Sequence, residues 1–124
     1  MPYITQWEEH GIYWQLSGIV TADEIFQFTN EFYNDGRSDS IHYQIVDCSR
    51  VEQFKLEEET MMEVAALDYA ASLSIVNVKV ALVGKAEHLK KVNNNYIDNA
   101  HMFHCKWLIE NFDTLAAARA WLAR

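Results

Sequence analysis

The strongest constraint on this chain is the alternation, from residue 21 onward, of short β-rich runs with stretches of helical spacing. Tyr43-Gln44-Ile45-Val46-Asp47-Cys48 is a run suited to a central strand. Val78-Lys79-Val80-Ala81-Leu82-Val83 reads as another buried strand, ended by Gly84. After it, Leu89, Val92 and Tyr96 lie on one stripe of a helix over 86–99. Such alternation joins parallel strands through right-handed crossovers, because only that hand packs a helix back onto a right-twisted sheet.

The flanking segments complete the pattern. Residues 3–8, a turn at His10-Gly11 and residues 12–20 predict a hairpin in which Ile12, Trp14 and Leu16 alternate with Tyr13, Gln15 and Ser17. Thr21-Ala22-Asp23-Glu24 fits a capping box, with the Thr21 hydroxyl accepting from the Glu24 amide and the Glu24 carboxylate reaching back. The helix it opens carries Ile25, Phe28 and Phe32 and is expected to stop at Asn34-Asp35-Gly36 on a left-handed glycine cap. Glu57, Glu58 and Glu59 favour the N-terminus of a helix over 57–75. A strand is predicted over 102–109, and Asp113-Thr114-Leu115 caps a last short helix with Leu115, Ala118 and Leu122. The expected order is ββαβαβαβα. The 124 residues suit one α/β domain, 1–124, with a mixed, mostly parallel sheet, and the lone proline and missing linker suggest no boundary.

Charge and cysteine usage narrow the function classes. A net charge of −8 opposes binding to nucleic acid, whose phosphates repel an acidic surface. Two cysteines, Cys48 and Cys105, are too few for a disulfide scaffold and fit reduced thiols in a cytosol. No signal peptide is read at the N-terminus and no apolar run reaches membrane-spanning length, so the expected location is cytoplasmic, with peripheral attachment to a membrane as the variant.

Taken in order, four segments resemble the SpoIIAA-like family, a distant relative of the STAS domains of anti-sigma-factor antagonists and anion-transporter tails. These are Gly18-Ile19-Val20-Thr21-Ala22-Asp23-Glu24 entering the first helix, Val46-Asp47-Cys48-Ser49 leaving the third strand, Val80-Ala81-Leu82-Val83-Gly84 in the fourth, and Phe112 to Ala118 with Trp121 and Leu122 at the close. The resemblance implies a STAS-type fold, a bacterial source and regulation through protein contact. The antagonists carry a phosphorylatable serine in Asp-Ser-Ser-Gly, some residues after Asp-Phe-Ser. Asp47-Cys48-Ser49 matches the earlier motif, but the register then sets Lys55-Leu56-Glu57-Glu58 against the later one, so Leu56 occupies the phosphosite. Leucine cannot be phosphorylated, and the acidic run beside it would repel a phosphate, so no serine switch is expected.

Candidate chemistry is sparse. In His101-x-x-His104-Cys105 the predicted strand turns His104 and Cys105 to opposite faces, so no metal site is expected. Cys48 at a strand end is the one candidate nucleophile, for a thiol enzyme or small hydrolase, but its neighbour Asp47 raises a thiol pKa and no histidine adjoins it. Gly84-Lys85 lacks the glycines of a phosphate loop, and Lys85, Lys90 and Lys91 read as a solvated helix face. Neither a catalytic residue nor a cofactor is assigned.

Surplus apolar surface is the informative feature. On the helix from Glu57, Val64, Leu67, Ala71 and Ile75 form a stripe for the sheet, while Met62, Ala66, Tyr69 and Leu73 form a second one nearly opposite. Phe26 and Tyr33 flank the inner stripe of the first helix. Neighbouring helices, a second copy of the chain, or an apolar ligand or membrane surface could cover these six. The leading expectation is a non-enzymatic binding or regulatory module that acts through protein contact and forms a homodimer. The alternative is a binder of a lipid-like ligand or membrane surface, with its pocket between the helices that start near Ala22 and Glu57.

Overall fold

The computed structural model describes residues 3–124. Alternation of apolar and polar residues sets the first two strands, β1 (Tyr3–Trp7) and β2 (Gly11–Thr21), which pair antiparallel with Trp7 opposite Ile12. Thr21 caps α1 (Ala22–Asn34), its hydroxyl accepting from the Glu24 amide at 3.4 Å. The reciprocal half of the capping box is not made as expected: Glu24 Oε2 is buried without a partner. A 3₁₀ turn at Gly36–Ser40 leads into β3 (Tyr43–Lys55), then α2 (Glu58–Ser72), β4 (Lys79–Val83), α3 (Glu87–Met102), β5 (Leu108–Phe112) and α4 (Leu115–Leu122). Thr114 caps α4 by accepting from the Ala117 amide at 3.1 Å.

The sheet runs in the order β1-β2-β3-β4-β5, with every pair after the first parallel. The fold class is therefore α/β with the order ββαβαβαβα. Helices α1, α2 and α3 cover one face, where Ile25, Phe28, Met61, Val64, Leu89 and Tyr96 meet Trp14, Leu16, Val80 and Leu82 of the sheet. Helix α4 covers part of the other face, with Ala118 and Trp121 packed on Ile45, Ala81 and Val83.

Several boundaries differ from expectation; the helix expected over 57–75, for one, ends at Ser72. Gly36 does not end α1 in a left-handed conformation; Asp35 caps it in an extended one and its carboxylate then accepts from the Arg37 amide at 3.0 Å. Strand β3 does not stop near Cys48 but continues to Lys55, because residues 50–55 pair with residues 17–21 of β2 in a ribbon that outruns β4, across two register shifts beside Gly18. The segment over 102–109 is not a strand. Ala100 is buried and carries α3 on to Met102, His104 then turns back at φ 62°, and the strand begins only at Leu108.

Gly11 has a packing reason to be glycine. It faces Tyr43, and a Cβ there would lie 2.5 Å from the tyrosine ring and 2.6 Å from its carbonyl oxygen. Strand pairing fixes that carbonyl, so Gly11→Ala is expected to cost about 1–3 kcal/mol, read as a lower urea midpoint with an unchanged m-value.

Candidate functional site

The inward stripe of α2 carries the first functional candidate. Helical spacing brings Met61, Val64, Ala65, Asp68 and Ser72 onto the sheet side, where all five are buried. This corrects the sheet-facing stripe read from sequence, since Leu67 points to solvent at 42 % exposure and Asp68 lies inward in its stead. The Tyr33 hydroxyl from α1 donates to Asp68 Oδ1 at 2.5 Å, and the Tyr96 hydroxyl from α3 donates to Oδ2. One carboxylate thus ties together the three helices of that face. Burial pushes the Asp68 carboxyl up to about 6; the two tyrosine donors pull the other way without cancelling it. Burial and the facing carboxylate raise both tyrosines far above their ordinary range.

A cavity of about 70 Å³ lies between these helices and the sheet. Phe28, Phe32, Val46, Met61 and Val92 supply apolar wall, with Asp68, Tyr33 and Tyr96 among its polar members. It lies between the helices starting at Ala22 and Glu58 and is smaller than the ~150 Å³ void that takes benzene. Gln44, Val46 and Cys48 alternate along β3 with their side chains on this side. Gln44 is buried, and its Nε2 has no hydrogen-bond partner.

Cys48 is buried, and burial, with Asp47 as the second cause, pushes its thiol up to about 12, away from the thiolate a nucleophile needs. Asp47 itself points to the α4 face, where it accepts from the Tyr13 hydroxyl at 2.7 Å and the Ser49 amide at 3.0 Å. On the same face Arg119 holds Glu8 through two bonds of 2.7 Å, while the Tyr43 hydroxyl also donates to Glu8. Arg119, more than the opposing burial, keeps the Glu8 carboxyl below its usual value. These carboxylates are engaged in holding strands and α4 together.

The six surface candidates separate. Phe26 and Tyr33 are half-buried against the core, and Tyr69 is half-buried with its ring 6.5 Å from that of Phe103. Met62, Ala66 and Leu73 stay exposed along the outer side of α2, Met62 at 39 % and Leu73 at 58 %. His101 and His104 are exposed and Cys105 is half-buried; among the described residues no three His, Cys, Asp or Glu side chains converge as for a metal ion.

No family model matches the sequence, and no curated protein matches it. Solved structures do. The Bacillus cell fate determinant SpoIIAA in its phosphorylated form superposes with a TM-score of 0.61 at 9 % identity, over 97 % of this chain and 98 % of that one. An uncharacterised DUF3478-family protein from Shewanella loihica PV-4, described as having a SpoIIAA-like fold, gives 0.59 at 14 % identity, over 97 % and 91 % of the two chains. The fold is SpoIIAA-like. The unphosphorylated form of the anti-sigma factor antagonist SpoIIAA agrees, at 0.56 and 8 % identity over 98 % and 96 %. Within the SpoIIAA-like frame, Asp47-Cys48-Ser49 lies inside β3, not at its exit as the sequence suggested. Leu56 sits half-buried between the end of β3 and the N-cap of α2 at Glu57.

Proposed function

We propose that this protein is a non-enzymatic binding module that acts through protein contact, with the outer face of α2 as its contact surface and a second copy of the chain as its partner. One observation carries the reading: between Glu63 and Lys79 the sole charged residue is Asp68, and Asp68 is buried. Beyond Glu63, the outer face of α2 and the loop after it therefore present Ala66, Leu73 and Val76 to solvent with no charge among the exposed residues of 64–78, and Met62 borders this stretch beside the exposed Glu59 and Glu63. Scattered apolar residues are ordinary on a surface, but a charge-free exposed stretch of this length on a chain of net charge −8 is not. Depletion of charge marks the centre of protein interfaces, and a two-fold contact sets one patch against itself, so a neutral patch lets two acidic chains meet. Bacillus SpoIIAA, an anti-sigma factor antagonist, is a precedent for a regulatory role on this architecture. The phosphoserine switch of the antagonists does not extend to this chain on our reading, because Leu56 occupies that position.

The test is sedimentation equilibrium of the wild type and a Met62→Lys, Leu73→Lys double variant. A wild-type dimer that the double variant converts to a folded monomer, with its far-UV circular dichroism retained because both side chains are exposed on the single chain, is the expected result. A monomeric wild type, or a dimer indifferent to the two lysines, would refute α2 as the self-contact. Native mass spectrometry of the untreated protein checks the lipid alternative, which a retained lipid mass would restore.

A further inference from the structure

We infer that His10 and His42 together form a binding site for a divalent transition ion of the zinc class, at the edge of the sheet where the parallel strands begin. The site shares no residue with the contact face of α2, so it stands or falls apart from the protein-contact reading.

Backbone pairing sets the two histidines side by side. His10 ends the turn between β1 and β2, and His42 immediately precedes β3. Gly11 pairs with Tyr43, and one residue earlier the His42 amide donates to the His10 carbonyl at 2.7 Å. The His42 carbonyl in turn accepts from the Lys79 amide at 3.0 Å, so the backbone of His42 is held on both sides. Neighbouring strands lie about 4.7–4.9 Å apart, which brings the two imidazoles out of the sheet edge together. Their ring centres are 5.7 Å apart, with the planes inclined at 57°. Of the five histidines, these are the two whose rings meet among the described residues.

That spacing suits a shared ion. With metal–nitrogen bonds of about 2.0–2.1 Å, two imidazoles on a tetrahedral ion hold their ring centres roughly 5–5.5 Å apart, and a slight rotation of exposed side chains closes the difference. Both residues are exposed, the His10 side chain at 65 %. Neither ring makes a hydrogen bond to protein among the described residues, whereas His88 bonds the Glu52 carbonyl through Nε2 at 3.0 Å. Imidazole nitrogen suits zinc and its neighbours in the transition series, and not magnesium or calcium, which take oxygen. Glu9 Oε1 stands 3.9 Å from His10 Nε2, and on a chain of net charge −8 this sets the site against an anion. Two protein ligands leave the other positions of the ion open to water or to an incoming donor, so the ion held here is exchangeable and not structural. The absence of a third convergent ligand among the described residues fits that assignment.

Zinc chloride and magnesium chloride are the probes, added to the untagged, ¹⁵N-labelled full chain while the histidine ring nitrogens are followed by NMR. Zinc is expected to shift the rings of His10 and His42 before those of His88, His101 and His104, and magnesium to shift none. His10→Ala and His42→Ala should each weaken zinc binding about tenfold or more, because each leaves a single imidazole, while His88→Ala changes it by less than about twofold. Zinc shifts spread evenly over the five histidines, no shift at His10 and His42, a magnesium response equal to that of zinc, or single variants that bind as tightly as the wild type would overturn the inference. Both side chains are exposed, so the variants are expected to fold, and the order of the wild-type ring shifts is a test that needs no variant.

Discussion

Asp68→Asn is expected to abolish a fall in stability of about 3 kcal/mol that the wild-type protein undergoes between pH 4 and pH 7. The folded carboxyl titrates near 6 against an ordinary 3.8, so in that window the folded state keeps a proton that the unfolded chain has released. Its contribution is fully present below the unfolded value and is lost as pH rises through the folded one. Asparagine keeps an oxygen for a tyrosine hydroxyl and removes the titration. Glu8 acts with the opposite sign: held low by Arg119, it contributes above its ordinary range and is lost as pH falls. The diagnostic quantity is therefore the difference between wild-type and variant urea stabilities at pH 4, 5, 6 and 7, in which Glu8 cancels. A difference curve that is flat across this window would mean that the donors Tyr33 and Tyr96 outweigh burial and keep Asp68 ionised throughout.

Asp68 also shows where sequence reasoning stops. The strand and helix order was legible because each run of period 2 or 3.6 was long enough to announce itself, and the helix entry at Thr21 was legible from its hydroxyl. A stripe assigned by apolarity alone passes over a buried carboxylate, so the sheet-side stripe of Val64, Leu67, Ala71 and Ile75 contains Leu67 and leaves out Asp68. The usable signal was spacing: Val64, Asp68 and Ser72 recur every fourth residue beside Met61 and Ala65. Gln44 was hidden similarly, as a polar residue in a strand otherwise read as central, and its missing partner depends on residues far away in sequence. The outer apolar residues Met62 and Leu73 were identifiable without the structure, although the same rule placed the half-buried Tyr69 with them, because periodicity does not report that Phe103 comes back to cover it.

Trp107→Ala is expected to bring the protein close to unfolding. Trp107 precedes β5 and not the middle of a strand, as the mistaken 102–109 reading had it; the reversal at His104 delivers its ring into the core under the loop that leaves α2. There its Nε1 donates to the Ile75 carbonyl at 2.7 Å in a buried bond. Deleting the ring removes about 3–5 kcal/mol of packing, and leaving the Ile75 carbonyl unpaired adds about 1–3 kcal/mol, against a total of roughly 5–15 kcal/mol for a domain. Trp107→Phe separates the two effects: it retains most of the ring and loses the donor, so about 1–3 kcal/mol is expected from urea unfolding. If the two variants cost the same, the bond and not the ring holds this corner. If Trp107→Phe costs nothing, the Ile75 carbonyl has access to water and the loop is looser than its burial implies. Ile75 lies between the exposed Leu73 and Val76, so the same bond fixes the end of the proposed contact face. Trp107→Phe should accordingly weaken self-association at a temperature where the chain is still folded, whereas Gly11→Ala, on the far side of β3, should destabilise the fold without that effect.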